Sequence, residues 1–179
     1  MKFLFLSIVL GLSLIAGELT LQSGSISGLT GVLGDSKIDP KSNQLSAQLS
    51  IDGDELTSIR GSISVEMAFF KSENADRDEN MHETLQSEKF KTSTYTITSV
   101  EATKTKDTYI LKGELDFHGV KKEQEFNALI TQNDATLNID AKANINFEDY
   151  EIEMPCLLGF TMCVDENVAI NGIAIFNKH

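Results

Sequence analysis

The dominant pattern in this chain is a strict alternation of apolar and polar residues. It is clearest over residues 136–147, where Leu, Ile, Ala and Phe alternate with Thr, Asn, Asp and Lys. Such a period of two predicts a β-strand with one apolar face and one solvated face. Shorter runs of the same kind occur at residues 45–51, 63–69, 111–117, 126–130 and 168–176. In the last run Ile173 and Ile175 make the second face apolar as well.

Turn-forming residues separate these runs, and helical periodicity is nearly absent. Asp-Gly-Asp at 52–54, His-Gly at 118–119 and Gln-Asn-Asp at 132–134 each lie between two runs. Short connections of this kind predict antiparallel hairpins and a meander. A polar stretch at 76–85 predicts one short helix. The pattern thus indicates an all-β fold, in which about eight strands with one apolar face close into a barrel or stack as a sandwich.

The apolar face of these runs contains many small residues. They are Ala47, Gly113, Ala128, Ala141, Ala143, Gly172 and Ala174. If they all face inward, a barrel of this size is under-filled and leaves room for an apolar ligand. The alternative is that the phenylalanines at 69, 117, 126 and 147 fill the interior themselves.

The first 17 residues have the three-part pattern of a secretory signal peptide. Lys2 is followed by a nearly continuous apolar run at 3–15 and by the small pair Ala16-Gly17. This run is shorter than the roughly 20 residues that a spanning helix needs, so we expect cleavage after Ala16 or Gly17 and no stable membrane insertion. Glu18 stands where a lipoprotein would carry a cysteine. We therefore predict a signal peptide at 1–17 and one soluble, exported domain at 18–179.

The net charge and the two cysteines bear on which partners and which cysteine chemistry the protein can have. The chain has 15 basic and 27 acidic residues, which argues against nucleic-acid binding through bulk charge. Two cysteines, Cys156 and Cys163, predict a disulfide in an exported protein. A redox pair usually has the tighter Cys-x-x-Cys spacing, and a metal site would need further ligands. A homodimer is compatible with the sequence.

Candidate catalytic groups are sparse. No Ser or Cys stands in a recognisable arrangement with any of the three histidines, His82, His118 and His179. The acidic stretch at 52–55 lacks the remaining ligand spacing of a calcium loop. We expect a binding protein rather than an enzyme, with no cofactor and no metal.

Three segments resemble the YceI-like family of bacterial periplasmic proteins. Residues 115–122, Leu-Asp-Phe-His-Gly-Val-Lys-Lys, are similar to a strand-ending turn of that family. Residues 77–81 with Phe90 are similar to its helical segment, and residues 165–170 to its final strand. The resemblance covers about 61–176 by pattern. It implies a periplasmic protein with a lipocalin-like antiparallel barrel around a long-chain isoprenoid, such as a quinone or polyprenyl chain, or a fatty-acid-type lipid.

On this reading the apolar register assigns side chains to a lipid tail and to the mouth of the barrel. The expected tail contacts are Val65, Met67, Phe69, Leu115, Phe117, Ala141 and Ala143. The expected mouth residues are Tyr95, His118, Asp76 and Arg77. Two alternatives stay open: a periplasmic stress or adaptor protein with a filled barrel, and a lipocalin-like isomerase or redox accessory that uses the two cysteines.

Overall fold

The computed structural model describes residues 16–32, 36–157 and 162–179. The apolar run at 3–15 lies outside the described residues, so the signal peptide stays a prediction. Ala16 and Gly17, next to the expected cleavage point, pair with Asp52 and Ile51 at the start of the first strand. No helix among the described residues is long and apolar enough to cross a membrane.

Within the described residues the chain forms strands, one α-helix and two single 3₁₀ turns. The strands are β1 (Ala16–Val32), β2 (Ser36–Ile38), β3 (Lys41–Ser42), β4 (Leu45–Asp52), β5 (Glu55–Glu66), β6 (Thr92–Ala102), β7 (Thr108–Phe117), β8 (Val120–Gln132), β9 (Thr136–Asn146), β10 (Cys156–Leu157), β11 (Met162–Cys163) and β12 (Asn167–Lys178). The helix α1 spans Ala75–Thr84, and the 3₁₀ turns span Met67–Phe69 and Phe147–Tyr150.

Eight of these strands close an antiparallel barrel. The order is β12-β9-β8-β7-β6-β5-β4-β1, and β12 returns to pair with β1. The short strands β2 and β3 add to β1, while β10 and β11 pair only with each other. This confirms the predicted all-β class, the single barrel and the short helix. The barrel extends beyond the stretch at 61–176 that resembles the YceI-like family, because β1 and β4 complete it.

The hairpin between β7 and β8 shows why the His-Gly pair stands at this turn. Phe117 pairs directly with Val120, so His118 and Gly119 alone form the connection. Their φ angles are 53° and 79°, as a two-residue turn matched to the twist of the strands requires. A side chain at Gly119 would also press against the Phe90 ring, with its Cβ 2.7 Å from Phe90 Cε1. The turn therefore demands glycine for two reasons.

Two strands end earlier than the alternation suggests. β5 stops at Glu66, and the 3₁₀ turn that follows breaks the period of two. As a result Phe70 is buried, whereas Phe69 is 45% exposed. β9 stops at Asn146, and Phe147 begins the second 3₁₀ turn, although its side chain stays buried.

The buried apolar side chains form two clusters, one toward each end of the barrel. The lower cluster consists of Leu19, Leu49, Ile51, Ile59, Ile97, Val100, Leu111, Phe126, Ala128, Ile130, Leu137, Ile139, Ala174 and Phe176. The upper cluster consists of Val65, Met67, Phe70, Leu85, Leu115, Phe117, Ile145, Phe147, Tyr150, Ile152 and Val168. The lower end is tied by Lys178, whose Nζ donates to Gln132 Oε1 at 3.0 Å and also contacts Asp54.

Candidate functional site

The upper half of the barrel contains a cavity of about 640 Å³. All eight barrel strands contribute side chains to it, and nearly all of these side chains are apolar. The lining includes Ile26, Leu45, Ile63, Val65, Met67, Phe70, Leu85, Leu115, Phe117, Ile145, Phe147, Val168 and Ile170. Pockets that bury most of an apolar small molecule have volumes in the range of roughly 300–1,000 Å³. The interior is thus filled in its lower half and hollow in its upper half.

Small residues on neighbouring strands create part of this space. Gly172 on β12 pairs with Ala141 on β9, and both line the cavity together with Ala174. A Cβ built on Gly172 meets no atom within 4 Å. The other small residues that the sequence places on this face, Ala47, Gly113, Ala128 and Ala143, do not line the cavity.

Tyr95 lies on the inner wall of the barrel, below the mouth. Its single hydroxyl hydrogen is shared between the backbone oxygens of Leu111 at 3.0 Å and Gln124 at 2.9 Å. Burial raises the pKa of the Tyr95 phenol well above its usual range, and the nearby carboxylates of Glu123 and Glu125 raise it further. The hydroxyl is therefore a permanent donor that is already engaged with the wall.

Residues of α1 and of the segment around the disulfide line the cavity at its mouth. Arg77, Asn80, Met81, Glu83 and Thr84 of the helix line the cavity. Asn80 and Glu83 are also exposed, so the cavity opens to solvent beside α1. The lining also includes Met154, Pro155 and Val164, which flank the disulfide.

The helix is fixed at its N-terminus by side-chain hydrogen bonds. Asn74 Oδ1 accepts from the Arg77 N–H at 2.9 Å, as expected of an N-cap residue. Asp78 Oδ1 accepts from both the backbone N–H and the hydroxyl of Ser72, each at 2.7 Å. None of the residues of α1 is itself buried. The helix is thus a lightly packed cover over the mouth.

The disulfide joins Cys156 and Cys163, as the sequence predicts. The two residues face each other in the β10–β11 pair, and the Val164 N–H donates to the Pro155 oxygen at 3.1 Å. Residues 158–161 between them lie outside the described part of the chain. The disulfide therefore closes the loop whose two flanks line the mouth.

The structure brings most of the predicted site residues to the cavity. Val65, Met67, Leu115, Phe117, Ala141, Tyr95 and Arg77 line it. Four predicted site residues do not, namely Phe69, His118, Asp76 and Ala143. Phe69 turns outward in its 3₁₀ turn, and Asp76 lies on the exposed side of α1. Ala143 packs against the lower cluster instead.

His118 is buried outside the cavity. Its Nδ1 lies 3.0 Å from the backbone oxygen of Tyr150, and its ring centroid is 4.1 Å from that of Phe90. Since the carbonyl oxygen can only accept, Nδ1 donates. His118 thus fastens the β7–β8 turn to the second 3₁₀ turn rather than facing the mouth.

Sequence reasoning missed several lining residues for different reasons. Ile63, Ile145 and Ile170 lie in the same alternating runs and could have been found by continuing each run. Phe70 and Met154 lie in irregular segments where no period applies. Their places in the lining depend on how the chain turns back over the mouth.

Comparison with known proteins decides the family. The family model for the YceI-like domain matches residues 16–173. The chain belongs to the YceI-like family. No curated protein sequence matches this YceI-like chain significantly.

Three solved structures share the fold of this YceI-like domain. BcnA of Burkholderia cenocepacia is 14% identical, with a TM-score of 0.75 over 85% of this chain and 95% of its own. A polyisoprenoid binding domain from Saccharophagus degradans, implicated in plant cell wall breakdown, is 11% identical, with a TM-score of 0.64 over 91% of this chain and 98% of its own. The YCEI protein of Campylobacter jejuni is 16% identical, with a TM-score of 0.66 over 82% of this chain and 88% of its own.

Proposed function

We propose that this protein binds one lipid, with the apolar tail of the lipid inside the barrel. The observation that carries the proposal is the hollow upper half, a cavity of about 640 Å³ with an almost wholly apolar lining. Apolar surface that leaves water contributes roughly 25 cal/mol per Å², or about 0.8 kcal/mol per methylene group. A tail that fills this cavity gains both that term and the dispersion contacts that an empty cavity lacks.

The tail is an isoprenoid or fatty-acyl chain. Membership in the YceI-like family supports this class, and so does the Saccharophagus relative, which is described as polyisoprenoid-binding. The lining offers branched aliphatic and aromatic side chains around the whole circumference, which suits a methyl-branched chain as well as a straight one.

The polar head lies at the mouth, beside α1. Among the described lining residues the charged side chains are Arg77 and Glu83, whose charges balance. A diphosphate head carries several negative charges and would need more cations than this mouth supplies. A neutral polar or singly charged head, such as a quinone, an alcohol or a carboxylate, fits better.

The protein acts outside the cytoplasm as a binding protein. The N-terminal signal pattern and the cysteine pair support export to the periplasm. The polar groups deepest in the cavity are engaged with the protein itself, as the Tyr95 hydroxyl shows. This engagement of the deep polar groups supports a site that holds a ligand.

Native mass spectrometry of freshly purified mature protein tests the proposal. We expect an added mass in the range of a single lipid, which disappears on denaturation and is recovered in an organic extract. Delipidated protein should show a raised melting temperature with farnesol, with a short-chain quinone or with palmitate, because a ligand that binds only the folded state stabilises it. If no lipid is extracted and none of these three probes raises the melting temperature, the proposal is wrong.

A further inference from the structure

The hollow and the filled halves of the barrel meet at a sharply defined floor. Tyr95 and Phe126 lie side by side there, with ring centroids 4.7 Å apart. The two hydrogen bonds of the Tyr95 hydroxyl to β7 and β8 fix its ring across the interior. Gly113 makes room for this ring, because a Cβ at that position would lie 3.1 Å from Tyr95 Cζ and would collide with the backbone of Thr96. The floor is therefore held by backbone contacts as well as by packing.

Below this floor lie the buried side chains of the lower cluster. Four members of the lower cluster, Leu111, Phe126, Ile139 and Ala174, line the cavity from beneath. The remaining members do not reach it, and Ile59, Ile130, Leu137 and Phe176 have no exposed surface. A tail that enters beside α1 must end at the floor.

We propose that the Tyr95–Phe126 floor limits the length of lipid tail that the barrel can hold. This inference rests on the proposed lipid binding. A packed chain atom takes up about the volume of a water molecule, ~30 Å³. A cavity of about 640 Å³ then encloses on the order of 20 chain atoms. Tails of up to about 20 carbons, or four isoprene units, fit in the cavity, and the excess of a longer tail stays in solvent.

Such a limit on tail length predicts a specific dependence of affinity on chain length. Each methylene that moves from water into the cavity tightens binding about fourfold. The gain continues until the tail reaches the floor and then stops, because further carbons find no apolar surface to contact. The dissociation constant should therefore fall with length and become constant near 20 carbons.

Two substitutions change the volume of the cavity in opposite directions. Phe126→Ala opens the floor toward the lower cluster and should shift the plateau to longer chains. Gly172→Leu fills the cavity from the wall and should shift the plateau to chains about four atoms shorter. This second variant is sterically mild, because the space around a Gly172 Cβ is empty. Gly31→Leu is the matched control, since a Cβ at Gly31 also meets nothing within 4 Å but Gly31 does not line the cavity.

The experiment measures dissociation constants of linear isoprenols with 10, 15, 20, 25 and 45 carbons by displacement of a fluorescent fatty acid. For the wild-type and Gly31→Leu proteins we expect steep tightening up to about 20 carbons and little beyond. The plateau should begin at shorter chains for Gly172→Leu and at longer chains for Phe126→Ala. The proposed limit on tail length is wrong if affinity keeps rising through 45 carbons in the wild-type protein. It is also wrong if all four proteins have an identical plateau. Either result leaves the proposed lipid binding intact. Failure of every isoprenol and of the fluorescent fatty acid to bind overturns both proposals.

Discussion

At the scale of single residues, His118 shows how one side chain serves a turn and a buried contact together. Its positive φ of 53° fits the two-residue turn, and its Nδ1 donates to the oxygen of Tyr150. Its Nε2 is buried and has no hydrogen-bond partner among the described residues. The ring thus contributes through one hydrogen bond and through its contact with Phe90.

We predict that His118→Ala lowers stability and leaves lipid affinity unchanged. The substitution removes the donor to a buried carbonyl, which costs about 1–3 kcal/mol. The cavity is unaffected because His118 does not line it. Urea denaturation measures the first effect and a titration of the folded protein with palmitate the second. His179→Ala, at the exposed chain end, is the control, and a large loss of affinity at unchanged stability would instead place His118 at the ligand.

The apolar register predicts which side chains point inward but not which of them reach the cavity. Val65 and Leu115 are predicted ligand contacts on this basis, and both line the cavity. Ala143 lies between Ala141 and Ile145 on the same face of β9, and both of these line the cavity, yet Ala143 itself packs against the lower cluster. Whether a small inward residue reaches the cavity depends on side chains of the neighbouring strands, such as Ile170 opposite Ala143, which the alternation within one strand does not contain.

At the scale of elements, the alternation located strands where they are continuous and failed where they end. The alternation predicts that β5 continues through Phe69, with the Phe69 side chain inward. The 3₁₀ turn at Met67–Phe69 instead exposes Phe69 and buries Phe70. β1 gave no clear signal, because its inward positions include Gly24 and Gly28. Its position is set by pairing with both β4 and β12, which is a property of the closed barrel.

We predict that Asn74→Ala loosens α1 and speeds the exchange of bound lipid. Loss of an N-cap side chain costs about 1 kcal/mol of helix stability, and α1 has no buried residue to compensate. Lipid dissociation should become a few-fold faster, while the far-ultraviolet circular dichroism of the barrel stays the same. Asn127→Ala on the exposed face of β8 is the control. Equal dissociation rates in the two variants would show that α1 does not limit exchange.

We predict that the double variant Cys156→Ser, Cys163→Ser keeps the barrel but releases lipid faster. The two cysteines are only 7 positions apart, so closing this loop is worth about 2–3 kcal/mol at most. The mouth should change more than the core does, because Met154, Pro155 and Val164 flank the disulfide and line the cavity. Stopped-flow release of a fluorescent fatty acid measures this. Dithiothreitol should reproduce the effect in the wild-type protein and have none in the variant.

At the scale of the whole molecule, the two ends of the barrel have different roles: the lower end is packed with buried side chains, and the upper end contains the cavity. The lower cluster is densely buried, and Ile59, Ile130, Leu137 and Phe176 are all 0% exposed. The upper half contains the cavity, and several of its lining residues, such as Ile63 and Ile170, are only partly buried. An empty cavity gives no dispersion contact to the side chains around it. The lower cluster therefore stabilises the fold to the same degree with or without a ligand, whereas the side chains that line the cavity gain contacts when it is occupied.

This division predicts opposite ligand dependence for two truncations of the same kind. Leu137→Ala in the lower cluster should cost about 2–5 kcal/mol whether or not lipid is present, because the cavity it creates is far from the ligand. Ile170→Ala in the lining should cost less in the lipid-free protein, since its side chain already faces empty space. With saturating palmitate the cost of Ile170→Ala should grow, because bound lipid stabilises the wild-type protein more than the variant. Denaturation of both variants with and without palmitate measures all four values. Equal costs for Ile170→Ala in the two conditions would mean that the tail does not contact the wall at this position, and that the cavity is occupied in some other way.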